Sequence, residues 1–417
     1  MLKDFIGKQS PTIRCDVLVV GCGPAGSGAA YNAAKNGLKT IVIDKKKTIG
    51  SPIECGECID PSLLKSYGIT LSQDIINAGQ DGTIFVINNK ILIDNHSKVW
   101  KSLTIDRQRL DKYLAYNASR AGATILVGSE ATDGDMIDGK INKLFVKTDK
   151  KILIIEPKVI VAADGTFSTI AKLQNRPKLN KLDIGMTVSY EMTNVNLKYT
   201  DRIQMFFDDI CRFGYGYIIP KSKDSANVGI GMIGVEKHPW KHLQYLLDTH
   251  PIVNPQIKYS GVIEIKKGET PILGQKLKLV KGNVLYVGDA AAQNLSHVGE
   301  GAIPSHICGR IAGQVVAEHI NKDMSLNEYS VRISETIGML FNECEQIRDL
   351  VFNIWTSDLH LEFKNLLSGL LISEVIPPHE KELLYSLEGL PPKEIINVVS
   401  KYLIKTKRNK LISVKII

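Results

Sequence analysis

The chain has 417 residues, of which 44% are hydrophobic and 23% charged, as is typical of a globular protein with a sizeable core. These values exclude a disordered, fibrous or disulfide-scaffold chain. Aromatic residues make up 6% and the formal net charge is +8, so we predict no nucleic-acid partner but allow an anionic small molecule or membrane surface.

The cysteine content and the apolar stretches indicate in which cellular compartment the protein resides. No secretory signal is visible, and the longest uncharged stretch, residues 17–34, contains glycines and a proline that exclude a spanning helix. Seven cysteines fit a reducing compartment. We predict a cytoplasmic protein, or one peripheral on the inner face of the cell membrane. Only Cys55 and Cys58 have metal-ligand spacing, so no metal centre is predicted.

The pattern of apolar runs and turn residues predicts an α/β (α+β) fold. Helices are predicted at about 25–36, at 107–120 and at about 302–320, followed by mostly helical sequence. Residues 190–234 alternate as in a larger antiparallel sheet. Short buried strands are predicted at 16–20, 39–43, 124–127, 158–162 and 284–287. We therefore predict a Rossmann-like three-layer domain that is interrupted by a β-sheet domain and followed by a helical C-terminal region.

A glycine-rich turn follows the first strand. Residues 21–26 read Gly-Cys-Gly-Pro-Ala-Gly, the GxGxxG pattern, and open a helix, while Asp44 ends the next strand. Gly21 permits the tight turn, Gly23 lets the backbone approach a pyrophosphate, and Gly26 lets helix and strand pack closely. Asp44 accepts hydrogen bonds from an unphosphorylated ribose, which favours FAD or NAD over NADP. The alternative is a Rossmann-like turn that binds nothing.

Two further strands end in aspartate. Asp164-Gly165 follows one of them and Gly288-Asp289 the other. A nicotinamide enzyme has no need of these patterns, whereas a flavin has a ribityl chain whose hydroxyls Asp289 is placed to bind. The patterns therefore favour FAD.

A helix begins after Gly299-Glu300-Gly301, and its N-terminus would stabilise the negative charge of reduced flavin. Arg107 can reach the phosphates or the ribityl chain of the cofactor. The alternative for Arg107 is a surface salt bridge with Asp111, one helical turn away.

These fingerprints resemble the FAD-dependent group of aromatic hydroxylases, flavin halogenases and geranylgeranyl reductases. Residues 49–57, Ile-Gly-Ser-Pro-Ile-Glu-Cys-Gly-Glu, and 288–291 followed by 299–301 are most similar to the archaeal geranylgeranyl reductase family. That family hydrogenates the isoprenoid chains of ether phospholipids. The resemblance covers about residues 14–320.

The resemblance implies domains and cofactor contacts. We predict a discontinuous FAD-binding domain (1–60, 101–180 and 275–325), a β-sheet substrate domain (61–100 and 181–274) and a helical C-terminal domain (326–417). The implied FAD contacts are Ala25, Asp44, Cys55, Gly56, Cys58, Arg107, Ala131, Asp289, Gly301 and Ala302. Cys55, Gly56 and Cys58 would lie in the loop that passes the isoalloxazine ring, and the backbone of Ala131 would touch adenine.

The family often carries a Pro-Tyr-Trp-Phe-Pro strand beside the flavin, and residues 212–220 depart from it. Tyr215 and Pro220 fit, whereas Arg212, Tyr217 and Ile219 replace the other three residues. Tyr215, Tyr217 and Ile219 still share one face of a strand. We predict that this face and Pro220 form an apolar substrate wall; the alternative is ordinary sheet packing.

Reduction of an unactivated prenyl double bond requires FADH2 as hydride donor, a dry pocket and a proton source. Cys55 and His297 are the candidate proton donors besides the flavin, although His297 is alternatively a structural residue. Cys58 makes the loop a CxxC, either a redox dithiol or cofactor packing. Cys308 and Cys344 form either a disulfide or two buried thiols.

We predict an FAD-dependent reductase that acts on geranylgeranylated archaeal-type glycerophospholipids. Its electron donor would be a ferredoxin-like protein, a reduced nicotinamide or a deazaflavin. The basic residues 401–417 would form a tail on an anionic membrane surface, a solvated terminal helix or a frayed end. The alternatives are an FAD-dependent aromatic hydroxylase-type monooxygenase and an electron-transfer flavoprotein that delivers electrons to quinone.

Overall fold

The structure, a computed structural model, describes residues 11–417, so residues 1–10 of the first predicted domain segment lie outside the described residues. Its strands are β1 Thr12–Val20, β2 Thr40–Ile43, β3 Cys58–Ile59, β4 Ile76–Gln80, β5 Thr83–Ile87, β6 Ile91–Asn95, β7 Ser102–Ile105, β8 Thr124–Leu126, β9 Glu130–Ile137, β10 Lys140–Lys147, β11 Ile152–Ala162, β12 Ile184–Thr193, β13 Ile203–Phe207, β14 Gly214–Pro220, β15 Ser225–Ile233, β16 Gly261–Pro271, β17 Val280–Lys281, β18 Val284–Tyr286 and β19 Ile412–Ile416. Its α-helices are α1 Pro24–Lys35, α2 Pro61–Ser66, α3 Arg107–Arg120, α4 Thr169–Leu173, α5 Trp240–Thr249, α6 Asn254–Ile257, α7 Ala302–Lys322, α8 Glu328–Thr336, α9 Gly338–Thr356, α10 Leu361–Ile372, α11 Lys381–Tyr385 and α12 Pro392–Lys405.

These elements confirm the predicted mixed α/β fold class. Each predicted strand forms, as β1, β2, β8, β11 and β18, and helix α3 has the predicted bounds 107–120. The remaining predicted helices form as α1 and α7, within two residues of their expected ends. The predicted antiparallel sheet over 190–234 forms as well, since β12 pairs with β15 and β15 with β14.

The chain forms two compact units. The first comprises the residues up to Pro52 together with Arg107–Asn180 and Thr270–Asn342. The second comprises Ile53–Asp106, Lys181–Glu269 and Glu343–Ile417. Residues 326–417 are divided between these units, but compactness does not test independent folding. The three-domain division therefore stays a prediction.

In the first unit the parallel strands β18, β11, β1, β2 and β8 lie side by side, with β17 at one edge. The carboxyl ends of β1, β11 and β18 therefore lie at one edge of the sheet, where an open α/β fold binds its ligands. Helices α1 and α7 pack unusually closely, because a Cβ on Gly309 would overlap the carbonyl oxygen of Ala25. The same holds for Gly313 and the carbonyl oxygen of Ala29.

The second unit contains an eight-stranded sheet in the order β16-β12-β15-β14-β13-β5-β6-β19 and a small sheet β3-β7-β4. One face of the large sheet packs with α5 and α6 into a core around Phe206, Ile218, Ile230, Leu243 and Leu246. On β14 the neighbours of Ile218 in sequence point to the opposite face, because side chains alternate along a strand.

The C-terminal sequence corrects one prediction. Helices α8–α12 form as expected, but residues 412–416 form strand β19, antiparallel to β6, rather than a terminal helix or frayed end. Leu403 and Ile412 are each only 2% exposed, whereas Ile404 and Ile416 are 62% and 53% exposed. The apolar residues of the tail therefore do not share one face, and no single amphipathic helix lies there. None of the helices between residues 11 and 417 has the length and apolarity to cross a bilayer.

Candidate FAD and substrate sites

The glycine turn of the first unit is shaped by backbone contacts. Gly21 has a φ of +98°, and a Cβ there would overlap the carbonyl oxygen of Ala163, while a Cβ on Gly26 would overlap that of Gly21. Gly23 is different, because its Cβ position has no heavy atom within 4 Å. Helix α1 begins here without a side-chain cap or an acidic residue in its first turn. The N–H groups of its first turn suit a phosphate.

Asp44 lies beside this turn. Its Oδ2 accepts a hydrogen bond from the Cys22 amide at 2.8 Å, and its Oδ1 accepts one from the Lys46 amide at 2.8 Å. The amide of Ser129 donates to the Asp44 carbonyl at 2.8 Å, which brings the start of β9, with the buried Ala131, next to Asp44. The structure thus brings together the residues predicted to bind the adenosine.

Arg107 forms the alternative contact considered from the sequence. Its Nη2 donates to Asp111 Oδ1 at 3.1 Å, but the pair is largely buried rather than on the surface. Burial raises the pKa of Asp111, and the Arg107 charge opposes the increase. Asp111 also interacts electrostatically with Cys22 and Asp44, so the pair adjoins the glycine turn.

Asp164 supports its own loop. Its Oδ2 accepts from the Ile170 amide at 3.1 Å, and burial raises its pKa despite a hydrogen bond with Ser168. Because Gly21 packs against Ala163, the turn formed by Asp164 and Gly165 borders the glycine turn. These contacts give Asp164 a role in shaping the loop, and its predicted cofactor contact stays a prediction.

The third fingerprint, at Gly288 and Asp289, packs against the start of α1, which follows the glycine turn. Gly288 has a φ of +65°, and a Cβ there would lie 2.8 Å from the Cβ of Ala25. A Cβ on Gly301 would lie 3.5 Å from Asp289 Oδ1. Helix α7 begins at Ala302 with no side-chain cap and no acidic residue in its first turn, so its N-terminus favours negative charge. Gly299, with φ +75°, precedes this helix start.

The loop between Asp289 and α7 contains polar atoms that the sequence analysis mostly missed. Asn294 Oδ1, Ser296 Oγ and His297 Nδ1 are buried without a hydrogen-bond partner among the described residues. Burial lowers the pKa of His297 to about 4, so its imidazole is neutral at pH 7. Buried polar groups without partners are uncommon in proteins, and here they suit the polar edge of a ring system. The signal in the sequence was the polar run between two fingerprints, of which only His297 was chosen.

The Cys55 loop belongs to the second unit. Cys55 is half-buried, and its Sγ accepts a hydrogen bond from the Glu57 amide at 3.2 Å. A Cβ on Gly56 would lie 3.1 Å from Ile219 Cδ1 and 3.8 Å from the Tyr217 ring, so the loop lies on strand β14. Cys58 begins β3 and pairs with Thr104.

The predicted wall on β14 combines aromatic and aliphatic side chains. Burial raises the pKa of Tyr217 to about 12, and its ring lies 6.3 Å from that of Tyr215. The carbonyl oxygen of Pro220 accepts a hydrogen bond from the Gln80 side chain at 3.1 Å. These contacts fix the wall within the unit, while its role in substrate binding stays a prediction.

The sequence analysis missed one aromatic residue that extends this wall, Phe207, and an aromatic cluster around Phe213, which directly precedes β14. The ring of Phe207 packs 6.0 Å from Tyr215, and Phe213 packs 5.5 Å from Phe352 and 5.6 Å from Trp355 of α9. No local pattern links β13, β14 and α9. All seven cysteines are thiols, so neither Cys55–Cys58 nor Cys308–Cys344 forms a disulfide.

The comparisons identify the class of protein. The family model of the FAD binding domain matches residues 14–241, and the residues around the glycine turn, Asp44 and α7 fit FAD. Buried polar atoms and the open position at Gly23 are the structural observations behind this fit. The chain is therefore an FAD-dependent oxidoreductase, which confirms the predicted cofactor.

Known relatives define the family. The chain is 36% identical to the digeranylgeranylglycerophospholipid reductase of Methanococcus vannielii over 77% of this chain and 82% of the relative. It is 33% identical to digeranylgeranylglycerophospholipid reductase 3 of Methanosphaera stadtmanae over 82% of this chain and 88% of the relative. A geranylgeranyl bacteriochlorophyll reductase-like structure from Thermoplasma acidophilum superposes with a TM-score of 0.78 at 26% identity, covering 94% of this chain and 99% of that one. The chain belongs to the digeranylgeranylglycerophospholipid reductase family, as its resemblance predicted.

Proposed function

We propose that this protein hydrogenates the isolated double bonds of geranylgeranyl chains on archaeal-type glycerophospholipids. Membership in the digeranylgeranylglycerophospholipid reductase family is the observation that carries the proposal. FAD, when bound and reduced, supplies the hydride. A proton must reach the other alkene carbon, because an isolated double bond has no conjugated carbonyl to accept charge.

In the first unit, we assign FAD binding to the backbone and a few side chains. Gly21 and Gly26 would shape the turn, Gly23 would admit the pyrophosphate, Asp44 would bind the adenosine ribose and Asp289 the ribityl chain. The uncapped N-terminus of α7 would stabilise negative charge on the reduced cofactor. Asn294 and Ser296 add unpartnered polar atoms for its ring edge.

In the second unit, we assign substrate binding to the wall of Tyr215, Tyr217 and Ile219, together with Phe213 and Trp355 at the start of β14. Tyr215, Phe213 and Trp355 are partly exposed, so an isoprenoid chain can bury apolar surface against them. Such burial excludes water from the double bond that accepts hydride.

The two candidate proton donors differ in chemistry. His297 is neutral at pH 7, because burial lowers its pKa to about 4, and thus does not serve as an imidazolium donor. Cys55 is a free cysteine in the loop that lies against Tyr217 and Ile219. We therefore favour Cys55 as the proton donor from the chain.

An electron donor and a lipid source complete the proposal. A ferredoxin-like protein, a reduced nicotinamide or a deazaflavin would supply electrons, and the lipid would be taken from a membrane surface. The chemistry of an FAD reductase acting on a phospholipid supports both. Flavin bleaching by each donor and co-sedimentation with anionic vesicles test them separately.

The function is tested under anaerobic conditions. The FAD-loaded protein is reduced chemically and mixed with a di-geranylgeranyl glycerophospholipid, and product mass is followed. We expect stepwise gains of two hydrogens that disappear when FAD is removed. No gain of mass together with air-dependent consumption of reduced nicotinamide would contradict the proposal in favour of a hydroxylase. If the lipid gains no mass and reduced nicotinamide is not consumed in air, the result would favour an electron carrier.

A further inference from the structure

A buried group of four charged side chains lies under the Cys55 loop in the second unit. Glu57 and Lys266 are 0% and 1% exposed, and Lys221 and Glu191 are 12% and 15% exposed. We call Glu57, Glu191, Lys221 and Lys266 the charge quartet. Its two positive and two negative charges balance, and Glu264 adds a contact to Lys266 at the rim, at 3.4 Å.

The quartet is tightly bonded. Glu57 Oε2 accepts hydrogen bonds from Lys266 Nζ at 2.6 Å and from Lys221 Nζ at 2.7 Å. Glu191 Oε2 accepts from the same two ammonium groups, at 2.9 and 2.8 Å. The pKa of Glu57 would rise on burial, but Lys266 and Lys221 outweigh burial and lower it to about 2. Glu57 is therefore charged throughout the neutral range.

The quartet and Asn227 join the loop to four neighbouring strands. Glu191, Asn227 and Lys266 lie on β12, β15 and β16, and Lys221 directly follows β14. Asn227 Nδ2 donates both to Glu57 Oε2, at 2.9 Å, and to the carbonyl oxygen of Gly56, at 3.0 Å. The quartet and Asn227 thus hold the side chain and the backbone of the loop at once.

The loop conformation requires such support. Glu57 has a φ of +65°, in the left-handed region that residues with a side chain adopt at a cost. In this conformation its amide donates to Cys55 Sγ and its carbonyl oxygen accepts from Ile105 N at 2.8 Å. An ordinary φ at this residue would turn the Glu57 side chain and carbonyl group away from their present directions relative to the amide, so the contacts of all three groups could not form together.

Stability alone does not account for the quartet. Well-packed apolar residues usually stabilise an interior as well as a buried ion pair does, because charges lose their hydration. What ionic hydrogen bonds add is a defined direction. We propose that Glu57 is a positioning residue whose carboxylate, held by the quartet and Asn227, fixes the turn that orients the Cys55 thiol. The proposal rests on the proposed function, in which Cys55 delivers the proton.

Three variants of the FAD-loaded protein test the proposal. Glu57→Gln removes the carboxylate charge, and Glu57→Gln/Lys266→Met removes it with charge balance restored. Asp208→Asn is the matched control, because it removes the charge of another buried carboxylate of the second unit, which hydrogen-bonds to His250 at 2.8 Å, without contact to the Cys55 loop. The measurements are kcat and KM for the lipid, Tm, and the rate at which iodoacetamide alkylates Cys55, located by peptide mass spectrometry.

We expect Glu57→Gln to lower kcat about 100-fold, the effect of a misplacement near 1 Å, with little change in KM. Alkylation of Cys55 should rise severalfold, because the half-buried thiol is no longer held. The double variant should regain Tm but neither the parent kcat nor the parent alkylation rate. Asp208→Asn should lower Tm alone.

Recovery of kcat and alkylation rate in the double variant would overturn the proposal, since the quartet would then be only structural. A failure of the proposed function can be distinguished from a failure of the positioning role of Glu57. If the parent does not reduce the lipid, the alkylation rate still decides: a rise in both Glu57 variants supports positioning, and an unchanged rate refutes it.

Discussion

The two units build their candidate sites from different groups. In the first unit, close approaches at Gly21, Gly26 and Gly288 shape the candidate FAD site, and its charged side chains, such as Asp44 and Asp164, hydrogen-bond to backbone amides. In the second unit, buried ionic side chains hold the Cys55 loop, with Glu57 and Lys266 separated by 209 residues in sequence. We therefore expect an added side-chain atom at a closely packed glycine to disrupt the first site. Removal of one charged partner should disrupt the second.

Substitution of the glycines gives the largest expected effect and tests the backbone half of this comparison. In Gly26→Ala the new Cβ overlaps the carbonyl oxygen of Gly21, so we expect loss of FAD and of most folded protein. Gly23→Ala is the matched control, because its Cβ has open space and the backbone φ of −74° suits alanine. It should fold normally and bind FAD more weakly, as measured by Tm and flavin titration. Equal behaviour of the two variants would refute the backbone account.

Removal of one member of the charge quartet tests the second half of the comparison, the site held by ionic side chains. Lys266→Met leaves two buried carboxylates with a single lysine, and we expect a loss of about 3–5 kcal/mol in unfolding free energy. Adding Glu57→Gln restores balance and should recover most of that loss. Urea unfolding measures both. A loss under 1 kcal/mol in the single variant, as at an exposed pair, would contradict the assignment.

The dependence of stability on acidic pH should reveal the contribution of the same quartet. Because the pKa of Glu57 falls from its ordinary value of 4.5 to about 2 in the folded chain, its stabilisation is complete above pH 4.5 and is lost as the pH falls from 4.5 towards 2. The whole effect is on the order of 3 kcal/mol. Unfolding free energy should thus fall less steeply in Glu57→Gln than in the parent. Glu362→Gln, at an exposed pair with Lys90, should follow the parent.

His297 should give an effect of the same order in the first unit, because its pKa is displaced about as far as that of Glu57. Its pKa is lowered from 6.5 to about 4, so the unfolded chain binds a proton in this range and the folded chain does not. Stability should therefore fall as the pH drops from 6.5 towards 4, and His297→Gln should flatten this slope. His360→Gln, at an exposed residue, is the control for thermal unfolding against pH. A parent slope retained in His297→Gln would show that the imidazole is accessible to solvent.

The contrast between units also explains what the sequence could predict. Helix α3 and the glycine turn are local patterns, so their bounds and roles could be read from neighbouring residues. The pairing of Lys266 with Glu57 depends on the order β16-β12-β15-β14, which no local pattern encodes. Asn294 and Ser296 were missed for a related reason, since a polar run reads as an ordinary loop until burial is known. Strand β19 was missed although Ile-Ser-Val-Lys-Ile alternates apolar and polar residues, because five residues are a short signal beside the helical and basic sequence that precedes them.

Strand β19 has a consequence for synthesis of the chain. Its partner β6 ends at Asn95, so one ladder of the large sheet stays incomplete until about 300 further residues have been made. At about 5–20 residues per second, the ribosome needs on the order of half a minute for that length. Throughout that interval the outer edge of β6 is open to pairing with other nascent chains. A chaperone that covers this edge during translation, or an affinity tag kept away from the C-terminus, would raise the yield of correctly folded protein.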